Sequence, residues 1–357
     1  MSRFFSERYD NLTPYTPGEQ PQKTGYVKLN TNESPFAASP YAIKAAYTEM
    51  KQLELYPDPE CAGLRRALAD TYNLTPSQVL ATNGSDEALY FAFLAFCDEK
   101  HPAVFADVTY DFYRVFAELT GTNYRLIPLE GDLTIDPKKF AKAGGTVFLA
   151  NPNAPTGLAL SRDEVEYIIA QNQDNVVVVD EAYVDFGAES CVSLIDKYDN
   201  LLVVRTFSKS RSMAGARLGF AMGCDPLIND LNTLRYSTNP YNINRMTMAA
   251  GIGALADKDY FYNCLNTICD NRAESKLKLE ELGFEVTNSK ANFLFAKHPD
   301  IGGQELYEKL KQRGVLIRHL EKSRIKDYNR ITVGTMGQMN LLVKHISEIL
   351  EEKHENS

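Results

Sequence analysis

The chain has 357 residues, of which 44% are hydrophobic and 24% are charged, a composition typical of a globular protein of about two domains. Its formal net charge of −9 argues against a general nucleic-acid binder, which needs a broad basic surface, and no apolar run is long enough to predict a membrane partner. The six cysteines lack paired zinc-type spacing and the first fifteen residues carry charges where a secretory signal would be apolar, so we expect a reduced, cytoplasmic protein.

Helical and strand-like patterns alternate through most of the chain. Residues 1–29, rich in Pro, Thr, Tyr and Gly, are predicted to form an extended arm. From about residue 40 to 260, helical patterns such as Arg162–Asn172 lie between short apolar runs. The predicted strands are Ala103–Phe105, Thr146–Ala150, Val176–Val179 and Leu201–Arg205. This alternation predicts an α/β domain with a mainly parallel sheet.

The pattern changes from about residue 265. A charged helix is predicted over Asp270–Leu282, where Gly283 suits its end. The later predicted elements are a strand at Asn292–Ala296, a helix at Gln304–Gly314, strands at Val315–Arg318 and Arg330–Val333, and a helix from Met339. We therefore expect a large domain over residues 30–265 and a smaller α+β domain over residues 266–357.

Two charged residues follow neighbouring predicted strands. In open α/β sheets, ligands bind at the carboxyl ends of the strands, and Asp180 and Lys209 fall at such ends. An aspartate there is most often a helix cap or turn residue, and a lysine there most often lies on the surface. Together they suit a cofactor that has a pyridinium nitrogen and an aldehyde. The acid would keep the ring protonated and the lysine would bind the aldehyde.

Three motifs then occur in the order of a known family. Asp180-Glu-Ala-Tyr183, Ser208-Lys209 and Gly215-Ala-Arg217-Leu-Gly219 resemble the pyridoxal-5′-phosphate (PLP) dependent aminotransferases of fold type I. A finer resemblance, to the histidinol-phosphate aminotransferases, extends over nearly the whole chain. It is carried in addition by the segments Asn11–Tyr15, Leu29–Pro35, Tyr56–Pro59, Asn83–Glu87, Thr109-Tyr110, Pro240–Asn244 and Arg330–Thr335.

The resemblance implies an aspartate-aminotransferase-like fold. The large PLP-binding domain would hold a mainly parallel seven-stranded sheet flanked by helices, next to the smaller α+β domain. The arm, residues 1–29, would pack with the small domain and with a partner subunit. The family also implies a homodimer in which Tyr56 reaches the cofactor phosphate of the neighbouring subunit, so that the active sites are shared.

The resemblance also implies the roles of the catalytic residues. Lys209 would bind PLP and move the Cα proton, and Asp180 would pair with the pyridine nitrogen. Tyr183 would reach the ring 3-oxygen and Tyr110 would stack on the ring, although a core position is the commoner fate of a tyrosine.

A phosphate needs backbone amides at a helix start together with a cation. A helix is predicted from Glu87 to Phe96, and the residues before it are as consistent with an ordinary helix cap as with an anion site. The candidate phosphate-binding residues are Gly84, Ser85, Asp86, Ser208 and Arg217.

The substrates implied are a phosphorylated amino alcohol, L-histidinol phosphate, and a 2-oxo acid, 2-oxoglutarate. Arg330 would bind the phosphate or carboxylate, with Arg318, Tyr15 and Asn32 assisting. An aromatic aminotransferase or a phospho-amino-acid decarboxylase would use the same Lys209, and a non-catalytic PLP-binding regulator is a third reading.

Two positions depart from the family pattern. Ala154 stands where the family usually has an asparagine that helps to hold the ring 3-oxygen, and Asn151 or Asn153 is a candidate substitute. Arg211 stands where an aromatic residue is common, which adds a positive charge near the site or on the surface.

Overall fold

The computed structural model describes residues 2–9, 12–20 and 25–355. The strands are β1 (Val27–Lys28), β2 (Val79–Thr82), β3 (Ala103–Ala106), β4 (Tyr124–Ile127), β5 (Thr146–Ala150), β6 (Val177–Asp180), β7 (Leu201–Thr206), β8 (Gly219–Gly223), β9 (Glu285–Val286), β10 (Phe293–Lys297), β11 (Val315–Leu316), β12 (Arg318–His319) and β13 (Asn329–Thr332). The α-helices are α1 (Pro40–Glu49), α2 (Ala62–Tyr72), α3 (Ser85–Phe96), α4 (Phe112–Thr120), α5 (Arg162–Ala170), α6 (Asp225–Thr238), α7 (Arg245–Ala256), α8 (Lys258–Glu281), α9 (Gly303–Gln312) and α10 (Met336–Glu355).

Seven strands form the large sheet in the order β2-β8-β7-β6-β5-β3-β4. β8 runs antiparallel to both of its neighbours, and the other paired strands are parallel. Successive side chains of a strand point to opposite faces, so Val177 and Val179 enter one core while Val178 enters the other. Burial on both faces explains the continuously apolar strands. The predicted α/β fold with a mainly parallel seven-stranded sheet is confirmed.

A second core lies around a smaller antiparallel sheet of order β12-β13-β10-β9. Strand β1, at the end of the predicted arm, pairs in parallel with β11, so this part of the arm packs against the C-terminal part of the chain. Apolar residues of α8, α9 and α10 cover this second core. Among the described residues, no helix combines the length and the apolar character that crossing a membrane requires.

Two predicted elements differ from the observed ones. Helix α8 begins at Lys258 instead of Asp270. The buried residues Cys264, Leu265 and Ile268 recur at helical spacing, so they extend the buried face of the charged helix towards its N-terminus. The predicted strand Val315–Arg318 is divided, since β11 pairs with β1 while β12 pairs with β13 of the other sheet. The expected domain boundary after residue 265 falls inside α8.

Candidate active site

A cavity of about 510 Å³ opens at the carboxyl ends of the central strands of the large sheet. Strands β5, β6 and β7, the start of α3, and strands β12 and β13 all contribute to its wall. Of the predicted site residues, all but Gly84 and Tyr56 line it: Tyr15, Asn32, Ser85, Asp86, Tyr110, Asp180, Tyr183, Ser208, Lys209, Arg217, Arg318 and Arg330. One cavity thus gathers side chains that are up to 315 positions apart (330 − 15) in the sequence.

Asp180 ends β6 and is 5% exposed. The Tyr113 hydroxyl donates to its Oδ2 at 2.9 Å, and the Ala182 amide donates to its Oδ1 at 3.1 Å. Burial raises the pKa of Asp180 to about 6, although these two donors favour the ionised form. A cationic group bound against this carboxylate would relieve the cost of its burial.

Lys209 lies in the loop after β7, half-buried. Its ammonium donates to the Thr31 carbonyl at 3.4 Å and lies 5.8 Å from the centroid of the Tyr183 ring. Among the described residues, no carboxylate forms an ion pair with it. The amine therefore faces the cavity with only a weak contact to hold it.

The start of α3 and Arg217 form one end of the cavity. Gly84, which precedes α3, has φ +79°, and a Cβ at this position would lie 2.7 Å from Arg217 Nη2. Only glycine allows that conformation and that approach. Asp86 accepts from Arg217 Nη2 at 3.2 Å and from the Tyr110 hydroxyl at 2.8 Å. The helix amides and the guanidinium together make this end suitable for an anion, and Asp86 orients Arg217 and Tyr110.

The Tyr183 hydroxyl is held from behind by Asn32, whose Nδ2 donates to it at 3.0 Å. Thr332 Oγ1 donates to Asn32 Oδ1 at 3.1 Å, so the amide cannot rotate freely. Asn32 has φ +56°, a left-handed conformation that asparagine tolerates better than most residues. Because the Tyr183 oxygen already accepts from Asn32, its own proton is available to a group in the cavity.

Two arginines lie directly opposite each other on β12 and β13 at another end of the cavity. Arg318 pairs in register with Arg330, and like charges in such a pair repel. Arg330 Nη2 donates to the Asn30 carbonyl at 3.1 Å, while its buried Nε has no hydrogen-bond partner among the described residues. Burial lowers the pKa of Arg330, which the nearby Tyr183 and Tyr15 oppose. A bound anion would remove the repulsion and satisfy the free donor.

Arg318 also contacts the N-terminal arm. Its Nη2 donates to the Thr16 carbonyl at 3.0 Å and its Nη1 to the Pro17 carbonyl at 3.3 Å. The neighbouring Tyr15 ring lies 4.3 Å from the ring of Phe112, centroid to centroid. The arm therefore forms part of the cavity wall next to the arginine pair.

Tyr56 lies apart from the cavity. Its side chain is 78% exposed and stacks on Tyr241, with 4.7 Å between ring centroids. Within the described part of the chain, Tyr56 does not line the cavity that holds the predicted phosphate site.

The two departures from the family pattern have different surroundings. Ala154 lines the cavity and packs against Ala291 and Phe293. The side chains of Asn151 and Asn153 are hydrogen-bonded elsewhere, to Leu160 and to Thr109 and Val108 respectively, and neither lines the cavity. Neither amide therefore replaces the missing one at position 154.

Arg211 does not line the cavity either. Its guanidinium packs 4.2 Å from the centroid of the Phe261 ring and donates to the Ala254 carbonyl at 2.9 Å. The charge is thus used in a packing contact.

Sequence reasoning missed Tyr113. Its ring lies edge-on to Tyr110, with 5.7 Å between centroids, and its hydroxyl is the side-chain donor to Asp180. A buried carboxylate requires such a donor, but nothing in the sequence distinguishes Tyr113 from the other 19 of the 20 tyrosines.

Comparisons with known proteins agree with this geometry. The family model described as "Aminotransferase class I and II" matches residues 24–346. A histidinol-phosphate aminotransferase of Brachyspira hyodysenteriae is 46% identical over 353 residues, which is 98% of this chain and 100% of the relative. One of Marinomonas sp. is 47% identical over 350 residues, 96% of this chain and 98% of the relative.

A solved structure supports the fold assignment. The crystal structure of histidinol-phosphate aminotransferase from Sinorhizobium meliloti, in complex with PLP, superposes with a TM-score of 0.84. It is 24% identical and the match covers 91% of each chain. The chain therefore belongs to the class I and II aminotransferase family, among the histidinol-phosphate aminotransferases.

Proposed function

We propose that this enzyme uses PLP to transfer the amino group of L-histidinol phosphate to 2-oxoglutarate, which gives imidazole-acetol phosphate and L-glutamate in histidine biosynthesis. One observation carries the proposal. A single cavity holds the buried carboxylate of Asp180, the amine of Lys209 and, at another end, the paired arginines Arg318 and Arg330. Relatives with this activity in their name, at 46% and 47% identity over nearly the whole chain, support the choice of substrate.

The residues present fit PLP. Asp180 offers a buried anion for a pyridinium nitrogen, and Lys209 offers an amine for an aldehyde. The glycine at position 84 keeps open the space between the start of α3 and Arg217, which a side chain would fill. Those amides and that guanidinium suit the cofactor phosphate, and Ser208 lines the same cavity.

When bound, PLP supplies an aldehyde that accepts the amino group and a ring that withdraws electrons. Asp180 would keep the ring nitrogen protonated, and the Tyr183 hydroxyl, oriented by Asn32, would donate to the ring 3-oxygen. Tyr110 would pack on the ring. Lys209 would hold the cofactor through its amine, and the freed amine would take the proton from the substrate Cα and deliver it to the carbon that carried the aldehyde.

The arginine pair would recognise the anionic end of either substrate. Arg330 and Arg318 can bind a phosphate in the amino substrate and a carboxylate in the oxo acid, because a guanidinium matches both in geometry. Tyr15 would close this end from the arm. Asn32 would act on substrates through its contact with Tyr183.

We further propose a homodimer with shared sites. Large apolar side chains are exposed along α1 and the segment after it: Tyr41, Ile43, Tyr47, Met50, Leu53 and Leu55. A concentration of exposed apolar side chains of this kind is typical of an interface, and Tyr56 follows it directly in the sequence. Tyr56 would then complete the phosphate site of the partner subunit, which explains its exposure here.

We also propose a division into domains and a cytoplasmic location. Residues 1–29 would be an arm, residues 30–265 the PLP-binding domain and residues 266–357 the small domain; the contacts of Arg318 with the arm support the first assignment. All six cysteines carry free thiols, which suits an enzyme of the reducing cytoplasm.

Absorbance of the purified protein tests the cofactor assignment. We expect a near-ultraviolet band that borohydride fixes covalently on Lys209, and Lys209→Ala should abolish both the fixation and the turnover. A protein without a fixable cofactor would refute the proposal.

Coupled glutamate formation with histidinol phosphate and with phenylalanine then tests the substrate; equal kcat/KM on both would indicate a broad aromatic aminotransferase instead.

Arg330→Ala tests the anion site. We expect KM for both substrates to rise by about tenfold or more while cofactor fixation is retained, because a lost charge-assisted hydrogen bond costs roughly 1.5–3 kcal/mol. Arg330→Lys is the matched control and should lose less, since it keeps the charge but not the planar fork. An unchanged KM in Arg330→Ala would place substrate recognition elsewhere.

A further inference from the structure

Each of the two central residues of the site is followed in sequence by a buried polar residue. Glu181 follows Asp180 and Ser210 follows Lys209, and they are 2% and 4% exposed. Arg205, 5% exposed, lies in the strand that leads to Lys209. Neither Glu181 nor Ser210 lines the cavity, so their burial has no direct part in binding a ligand there.

Arg205 connects the two segments. Its Nε lies 3.7 Å from Glu181 Oε2, and its Nη2 forms an ion pair with Asp185 Oδ1. The guanidinium also covers the Tyr72 ring, 4.9 Å from its centroid. Burial opposes the charge of Asp185, yet Arg205 and Ser210 hold its pKa below the ordinary value. Asp185 is therefore an ionised acceptor in a fixed place.

Ser210 joins the Lys209 loop to this acceptor. Its Oγ donates to Asp185 Oδ2 at 2.5 Å. On the other side of Lys209, the Ser208 amide donates to Thr206 Oγ1 at 3.1 Å. The backbone of Lys209 is thus fixed at both neighbouring residues, while the hydrogen bond that the described residues offer its side chain is the long one to Thr31, at 3.4 Å.

We propose that Ser210 and Asp185 are positioning residues that set where the Lys209 amine meets the substrate Cα proton. The inference rests on the proposed function, because it concerns the proton transfer by Lys209. A general base that is displaced by a fraction of an ångström loses rate without losing its ligand. Arg205, on the strand that leads to Lys209, contacts both Glu181 and Asp185 on the segment after Asp180, so the acid and the amine keep a fixed separation.

Ser210→Ala tests the inference, since it removes one hydrogen bond and leaves the Arg205–Asp185 ion pair. We expect kcat to fall by about tenfold with KM nearly unchanged. The primary isotope effect with Cα-deuterated histidinol phosphate should rise, because proton transfer becomes slower relative to the other steps. In the cofactor-free protein, backbone amide exchange in the peptide 206–213 should become faster by several fold.

Ser190→Ala is the matched control. Its hydroxyl donates to Glu181 Oε2 at 2.7 Å, at the far end of the same set of contacts, so it removes a comparable hydrogen bond away from Lys209. We expect Ser190→Ala to lose about as much thermal stability as Ser210→Ala. It should keep the wild-type isotope effect and the wild-type amide exchange in the peptide 206–213. An isotope effect unchanged by Ser210→Ala, or raised equally by both variants, would overturn the inference. A wild-type protein without borohydride-fixable cofactor would instead refute the proposed function, and amide exchange would still test whether Ser210 fixes the loop.

Discussion

At the scale of single residues, Asn32 shows how a side chain outside the reaction can set the direction of one inside it. Its amide donates to the Tyr183 hydroxyl at 3.0 Å. We expect Asn32→Ala to lower kcat/KM about as much as Tyr183→Phe, because both leave the cofactor without an oriented donor. The double variant should lose little more than either single one, which is the behaviour of coupled residues. Steady-state kinetics of the four proteins checks this, and additive losses would mean that Asn32 acts independently.

At the same scale, the raised pKa of Asp180 predicts that the stability of the cofactor-free protein depends on pH. Its pKa in the cofactor-free fold is raised to about 6. The folded state therefore holds a proton that the unfolded chain has already released, and Asp180 costs stability progressively as the pH rises from about 4 to 6. Above pH 6 the cost stays constant, at about 3 kcal/mol by the size of the shift.

Asp180→Asn removes this titration and keeps an acceptor for Tyr113. We expect the cofactor-free variant to gain stability over the wild type between pH 4 and 6, and turnover to be lost at every pH. Denaturant unfolding of both proteins from pH 4 to 8 measures the difference. A difference that does not change with pH would show that Asp180 is ionised throughout.

At the scale of elements, the loop between β12 and β13 joins the two strands that carry the paired arginines. Arg324 in this loop contacts the large sheet, since its Nη1 lies 2.6 Å from Asp107 Oδ2 and its Nη2 donates to the carbonyls of Leu129 and Glu130, each at 3.0 Å. Lys322 forms a second ion pair with Asp111, next to Tyr110. These contacts hold β12 and β13 against the carboxyl ends of the large sheet.

We therefore expect Arg324→Ala to raise KM for both substrates by about three- to tenfold, with a smaller change in kcat, because a mobile loop leaves the arginine pair less well placed. Lys326→Ala, in the same loop but exposed and without an ion pair among the described residues, is the control and should behave as the wild type. Initial-rate kinetics at fixed ionic strength checks both. A wild-type KM in Arg324→Ala would show that the loop contact has no part in binding.

At the scale of the whole molecule, the exposed Tyr56 and the apolar face beside it predict complementation between subunits. A dimer of one Lys209→Ala chain and one Tyr56→Ala chain would hold one complete site, made from the lysine of one subunit and the tyrosine of the other. Equal mixing by unfolding and refolding should then restore about one quarter of the wild-type activity, because half of the dimers are mixed. Activity no higher than the mean of the two parents would show that each chain builds its site alone.

Much of this protein follows from its sequence. The apolar runs at Thr146–Ala150 and Leu201–Arg205 indicate strands that are buried on both faces, as in a sheet covered by helices on both sides. Strand ends that carry Asp180 and Lys209 then determine which edge of the sheet is the site. The helix start after Gly84 is also predicted from sequence, but the positive φ and the approach of Arg217, which admit only glycine there, are seen only in the structure.

Only the tertiary structure decided which residues support Asp180, Tyr183 and the loop of Lys209. Tyr113 as the donor to Asp180, Asn32 behind Tyr183, and Ser210 against Asp185 are contacts between segments 67, 151 and 25 positions apart. The sequence pattern reports the periodicity of one element at a time, and it does not give the packing angle or register that brings two elements within 3 Å. The same limit explains Arg211 and Asn153. Each was a chemical candidate by its neighbours in sequence, and each is hydrogen-bonded to a carbonyl that folding placed beside it.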